Sequence, residues 1–174
     1  MRARLLLAPA LAAALLLAAV TSSASAAPAA TASEACAASG LVVWAGEEPG
    51  GGAAGSVYYR IELTNLSATT CTVKGYPTVN AVDLKGRRIG AFATHEEGKK
   101  VKRVTLAPGQ SATARLRIVD ALNFPADKCK ATTAAGLRVG IPGGHGNKVA
   151  PLAFETCTRR VTKTLSVAPV KAGG

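Results

Sequence analysis

From Val57 to Thr64 the chain alternates without a break, with Val57, Tyr59, Ile61 and Leu63 on one side of an extended backbone and Tyr58, Arg60, Glu62 and Thr64 on the other. Period two over that length marks a strand with one buried and one wet face, and such strands belong to antiparallel sheets. The pattern returns in ATARLRIVD, where Ala114, Leu116 and Ile118 oppose Arg115 and Arg117, and in LRVGI, where Leu137, Val139 and Ile141 flank Arg138. Tyr59, Ile61, Leu63, Leu116, Val139 and Ile141 are therefore the expected core.

The connections point the same way. Lys85-Gly86 between VNAVDL and RRIGAF suits a tight hairpin turn, and Ala107-Pro108-Gly109-Gln110 suits a type II turn that would pair KKVKRVTL with SATARLRIV. LVVWAG near the start, and KVAPLAF and RRVTKTLSV near the end, bring the expectation to about eight strands, with no amphipathic helix among them. The predicted fold is all-β: an immunoglobulin-like, two-sheet antiparallel β-sandwich, with a closed barrel as the structural alternative. Trp44 lies on the first strand, ahead of Cys71, and reads as a core or rim aromatic. Lys163 falls on the face of Val161, Leu165 and Val167, which implies a bulge or a sheet edge from which the lysine reaches out.

The first residues, MRAR, the apolar stretch Leu5 to Val20 and the small residues Ala24 and Ala26 form a secretory signal peptide with cleavage expected after Ala26. The apolar stretch is short for a bilayer and contains Pro9, and the first cysteine, Cys36, lies well past the cleavage point, so neither a membrane anchor nor a lipoprotein is expected. The expected organisation is a signal peptide at 1–26, a flexible leader at 27–35, one β-sandwich domain at 36–168 and a short tail at 169–174. The product is expected to be a free, secreted monomer. The chain carries 21 basic and 10 acidic side chains; Arg2 and Arg4 leave with the signal, and the remainder stays strongly basic.

All four cysteines follow the cleavage point. An even count in an exported chain favours disulfides over metal, and even the nearest pair, Cys129 and Cys157, is spaced too widely for a zinc site. Of the three pairings, Cys36 with Cys71 and Cys129 with Cys157 is favoured because each pair brackets neighbouring strands. Each staple would close a loop of about 30 residues and contribute ~3–4 kcal/mol through restriction of the unfolded chain.

A cysteine just before the first strand, then IELTNLSATTCTVKGYPTV, then VTLAPGQSATARL, then two further cysteines, resembles the secreted actinobacterial family known as domain of unknown function 4232. The similarity covers about residues 36 to 168 and rests on the order and spacing of the T-N-x-S, C-x-x-x-G-Y-P and L-x-P-G elements. It implies an extracytoplasmic β-sandwich with no assigned activity. The same residues read alone give scaffold: Thr64 to Thr70 is a polar turn in which Asn65 and Ser67 bond to nearby backbone, and Gly75-Tyr76-Pro77 bends the chain into the next strand. Glycosylation of Asn65 would need eukaryotic secretion and is not expected.

Catalysis is hard to assemble. With the cysteines paired there is no thiol nucleophile, and the only imidazoles are His95 and His145. His95-Glu96-Glu97 reads as a solvated turn rather than a metal or acid–base site, and PGGHGNK around His145 as a flexible hairpin tip, since Lys148 is followed by Val149 and no helix follows to receive a phosphate. GEEPGGGAAG, residues 46 to 55, reads as a mobile connection. Copper carriage would want methionine with histidine, and the one methionine is Met1. Aromatics make up 4% of the chain, too few to interleave with the basic residues as nucleic-acid binding requires. No cofactor is expected. The remaining candidate is a basic stripe: Lys99, Lys100, Lys102 and Arg103 in or beside one strand and Arg115 and Arg117 on its expected hairpin partner. The function expected is a non-enzymatic binding module of the cell exterior or envelope that engages anionic wall polymers. The alternative is a structural or inhibitory secreted protein that contacts another protein through loops 46–55 and 142–147.

Overall fold

The computed structural model describes residues 33–173, so the expected signal peptide and the first residues of the leader lie outside the described residues. Among the described residues the strands are β1 (Leu41–Ala53), β2 (Ser56–Asn65), β3 (Cys71–Lys74), β4 (Thr78–Val82), β5 (Arg88–Phe92), β6 (Thr94–His95), β7 (Arg103–Leu106), β8 (Ser111–Val119), β9 (Ala131–Gly140), β10 (Asn147–Cys157), β11 (Leu165–Val167) and β12 (Lys171–Ala172). A single helical turn, Ala126–Cys129, precedes β9. The larger sheet runs β1-β2-β8-β11-β6, with β12 sharing the edge of β8 that β11 occupies; the smaller runs β10-β9-β4-β5; β3 and β7 form a two-stranded ribbon. Among the named strands every pairing is antiparallel except β11 with β6, and the isolated bridges Ala35–Thr72 and Ala37–His145 are also parallel, a departure from the wholly antiparallel expectation.

The fold is all-β and sandwich-like, compatible with an immunoglobulin-like arrangement. Inward residues of the larger sheet, among them Ile61, Leu63, Ala114 and Leu116, meet Val79, Ala81, Leu137 and Val139 of the smaller in one buried cluster. Five of the six expected core residues are buried, and Tyr59 packs against them with part of its ring exposed. Pro151, which has no N–H to give, sits on β10 at the sheet edge, beside the register shift that separates Pro151 from Phe154.

Cys36 is bonded to Cys71 and Cys129 to Cys157, the pairing favoured from sequence. The first staple sits in a backbone lattice: Cys36 N–H donates to Thr72 O at 2.9 Å and Thr72 N–H to Glu34 O at 2.8 Å. The end of the expected leader is thus fixed to β3.

Four local expectations are corrected. Residues 46–55 are mostly strand, because the β1–β2 pairing continues past a bulge between Glu47 and Gly52 to a turn at Ala54-Gly55. The tip at 142–147 is docked, with His145 N–H donating to Cys36 O at 3.0 Å and Ala38 N–H to His145 O at 2.8 Å. Gly144 lies so close to the Cys36 carbonyl that no side chain fits there. Lys163 belongs to neither a bulge nor an edge: the strand begins only at Leu165, and Val161 and Lys163 are exposed in the turn before it. The expected tail joins the fold, since Val170 is buried and β12 pairs with β8.

The β4–β5 hairpin forms as expected. Gly86 adopts φ 72°, and Asp83 caps the turn, its Oδ1 accepting from Lys85 N–H at 2.9 Å and Arg87 N–H at 2.8 Å and its Oδ2 from Arg87 Nε at 2.8 Å. The Arg87 N–H above all, with the Arg87 guanidinium and the Lys85 N–H, holds the Asp83 carboxyl below its ordinary value. A depressed carboxyl adds stability that is present at neutral pH and is lost as pH falls through its folded value. In an NMR titration the amide protons of Lys85 and Arg87 should therefore shift below pH ~4, the ordinary aspartate value; a midpoint at or above it would refute the cap.

The burial of Leu116 is tested by comparing two apolar deletions. Leu116 is fully buried and Val161 is 80% exposed, so Leu116→Ala should destabilise by about 2–5 kcal/mol and Val161→Ala by less than about 0.5 in urea unfolding. Similar losses would mean that Leu116 is not part of the core.

Candidate functional site

The stretch from Leu63 to Pro77 is scaffold. Asn65 is completely buried; its Nδ2 donates to Thr69 O at 2.8 Å and Leu106 O at 2.9 Å, while its Oδ1 accepts from Ser67 N–H at 3.0 Å and Ser67 Oγ at 2.7 Å. Both amide hydrogens are engaged, so the nitrogen of this sequon is not presented to a modifying enzyme in the folded chain.

Both histidines are exposed. The His95 ring stacks on Tyr76 with centroids 4.1 Å apart, and the Tyr76 hydroxyl donates to Glu96 O at 2.9 Å. His145 is held by its backbone against Cys36 and Ala38. Among the described residues no group of three His, Cys, Asp or Glu side chains is placed to hold a metal ion.

The hairpin expected to align the basic residues does not form. Lys99, Lys100 and Lys102 lie in the loop after β6, and Arg103 opens β7, which pairs with β3 and sets Arg103 opposite Lys74. Arg115 and Arg117 stand on β8 in the larger sheet, where β2 places Arg60 and Tyr58 beside them. The turn at 107–110 is present, with Gly109 at φ 80° and Gln110 N–H donating to Ala107 O at 2.9 Å, but it carries the chain from the ribbon into the larger sheet. The reason lies in the end of β2: Asn65 N–H donates to Gln110 O at 2.9 Å and Gly109 N–H to Asn65 O at 2.7 Å, so the turn is bound to β2 and β8 must leave alongside it.

Glu96 links the two groups of cations, with Oε2 3.1 Å from Arg115 Nη2 and 4.0 Å from Lys99 Nζ. Arg115 also lies 4.8 Å over the Tyr58 ring, and Arg117 Nε donates to Ser56 Oγ at 3.0 Å. Lys100 and Lys102 remain exposed, with no carboxylate partner among the described residues. The neighbouring sheet face is mixed in character: Trp44, 51% exposed, lies across Gly46 with the Arg60 guanidinium 6.0 Å from its ring. A hollow of about 310 Å³ is lined there by Glu48, Glu62, Arg60, Arg115 and Lys171.

Sequence reasoning passed over Arg88, Arg138 and Arg160, which line one trough on the smaller sheet. They are far apart in the chain, and the single local signal is the glycine two places to either side of Arg138.

A family model described as "Domain of unknown function (DUF4232)" matches residues 36–171. The chain belongs to this family. The DUF4232 match opens on Cys36 and closes on β12, so it contains both disulfides and every cation of the expected stripe. No curated protein matches the chain. Among the described residues of this DUF4232 domain no helix is long and apolar enough to cross a membrane.

The scaffold role of Asn65 has a measurable signature. Asn65→Ala removes both a donor and an acceptor from a buried network and should cost about 2–4 kcal/mol. Asn65→Asp keeps the shape but turns a charged oxygen on the Thr69 and Leu106 carbonyls, and should cost at least as much, with the loss easing as pH falls and the new carboxyl protonates. Unfolding midpoints for either variant within experimental error of wild type would place the constraint elsewhere.

Proposed function

We propose that this DUF4232 protein is a secreted, non-enzymatic binding module of the cell exterior or envelope, and that it holds anionic polymers through charge density rather than shape. The signal-like leader and the two disulfides support an oxidising, extracytoplasmic setting. The observation that carries the reading is the loop at 97–102, where Lys100 and Lys102 stand exposed without carboxylate partners beside a Glu96 that already engages Lys99 and Arg115. Exposed lysines recognise charge more than geometry, so the complex is loose and salt-sensitive. The stacking of His95 on Tyr76 and the absence, among the described residues, of any metal-holding group of His, Cys, Asp or Glu side chains are in keeping with a non-catalytic role.

One observation favours the second reading, contact with another protein. Trp44 and Val42 are about half exposed on β1, an edge strand, next to the hairpin at 46–55. The tip at 142–147 lends it no support, because that tip is docked on Cys36.

The lysine loop is tested by titrating heparin and an isolated wall polymer at several salt concentrations. Lys100→Glu with Lys102→Glu should weaken binding by about tenfold or more and flatten the salt slope, whereas Lys130→Glu with Lys163→Glu, the same charge change elsewhere, should do much less. Equal losses would reduce the attraction to net charge, and a wild type that binds neither polymer would end the proposal.

A further inference from the structure

The face of the smaller sheet that points away from the core carries a different arrangement of cations. Register across β5, β4, β9 and β10 sets Phe92, Asn80, Arg138 and Val149 in one row and Thr78, Gly140 and Asn147 in the next. Gly136 and Gly140 stand two residues to either side of Arg138, on the same face, so its guanidinium rises from a strand bare of neighbouring side chains. Arg138 Nη2 donates to Gly86 O at 2.5 Å, which fixes the side chain, and Arg138 lines the trough. Arg88 joins it from β5, its guanidinium 4.6 Å over the Phe92 ring, and Arg160 from the turn that follows β10. The trough they line holds about 700 Å³.

Its charge is one-signed. Arg60, Arg87 and Arg115 are paired with Glu62, Asp83 and Glu96, whereas among the described residues no carboxylate lines the trough or pairs with Arg88, Arg138 or Arg160. Guanidiniums gathered without an acid repel one another, and an anion seated among them would reverse that. A planar carboxylate is satisfied by one guanidinium fork, whereas a tetrahedral phosphate presents oxygens on several sides and suits more than one. Phe92, 45% exposed with Arg88 against its ring, offers a flat apolar surface to the carbon chain that carries the anion, and Thr78 and Asn147 supply neutral hydrogen bonds at the next row.

We infer that this trough is a site for a phosphate group carried on a sugar or polyol, distinct from the lysine loop. It shares with the preceding reading only the premise that the ligand is anionic.

The test is calorimetric titration of the folded protein with poly(glycerol phosphate), with glycerol 3-phosphate and with polygalacturonate. Arg160→Gln and Arg88→Gln should each weaken binding of the phosphate ligands by about tenfold with an unchanged circular dichroism spectrum. Lys163→Gln should leave it within about twofold, and polygalacturonate should bind more weakly than poly(glycerol phosphate). Arg138→Gln should do the same as the other two, and because Arg160 is exposed the test survives if that variant fails to fold. Tighter binding of the polymer or of glycerol 3-phosphate identifies a chain phosphodiester or a terminal phosphate as the source, and loss of either in Arg160→Gln supports the site. Wild-type affinity in Arg160→Gln and Arg88→Gln, or polygalacturonate bound as tightly as the phosphate polymer by the protein carrying Lys100→Glu with Lys102→Glu, would overturn it. Loss confined to Lys100→Glu with Lys102→Glu would overturn the trough and leave the lysine loop standing; loss confined to the arginine variants would do the opposite.

Discussion

One buried amide decides how the strands are connected. Asn65 closes β2, and its side chain bonds to the loop that leads to Cys71 and to the last residue of β7, while its backbone binds the turn into β8. Two stretches, 65–69 and 106–110, whose contact through Asn65 and Leu106 spans 41 residues of sequence, therefore meet at one polar residue with no solvent access. Inside a protein an unsatisfied amide costs far more than a satisfied one returns, so a fully bonded network admits one arrangement and penalises the rest. The ribbon of β3 and β7, and with it the position of Arg103 and Lys74, follows from that arrangement rather than from any preference of those strands for one another.

The same fact separates what was legible in the sequence from what was not. Alternation shows which side of a strand is buried, and for β2, β8 and β9 it assigned the faces correctly down to single residues such as Leu116 and Arg117. It does not say which strand lies alongside. The Pro108-Gly109 turn carries a strong local signal for a hairpin, and the turn is there, yet the partner of β8 is β2, because the turn's own polar groups are taken by Asn65. Glycine-rich stretches misled for a related reason. In 46–55 and 142–147 glycine reads as freedom, but a bulge absorbs the first and the Cys36 backbone approaches the second too closely for a side chain.

The arginine trough was illegible because each of its members, taken singly, is an ordinary wet-face residue. Arg88 and Arg138 lie on strands joined only through β4, and Arg160 on a turn whose place is set by the Cys129–Cys157 staple. Only the register assembles them. The lysines at 99–102 were the reverse case: contiguous in sequence and conspicuous for that, but set in a loop where Glu96 already engages Lys99. Net charge and clustering in sequence do not by themselves say which cations are free to meet an anion, and the distribution of carboxylates does. Three of this chain's acids neutralise Arg60, Arg87 and Arg115, so the cations left over, and not the cations as a whole, define where an anion gains most.

The two disulfides then acquire a role beyond stability. Cys36–Cys71 anchors the ribbon that bears Arg103 and docks the tip beside Asn147, while Cys129–Cys157 holds the turn that bears Arg160, with Arg159 N–H donating to Cys129 O at 3.2 Å. On β5, Gly90 passes so close to the Cys157 carbonyl that a side chain there would push the two apart, and Arg88 and Phe92 stand on either side of that contact. A sandwich of short strands fixes its core residues by packing, but side chains on its outer face are fixed only as well as the turns between strands. Covalent staples at the turns supply that rigidity, and a loop-borne guanidinium held in place loses less entropy when an anion arrives. In this fold the staple that limits the unfolded chain and the preorganisation of the trough are two consequences of the same bond.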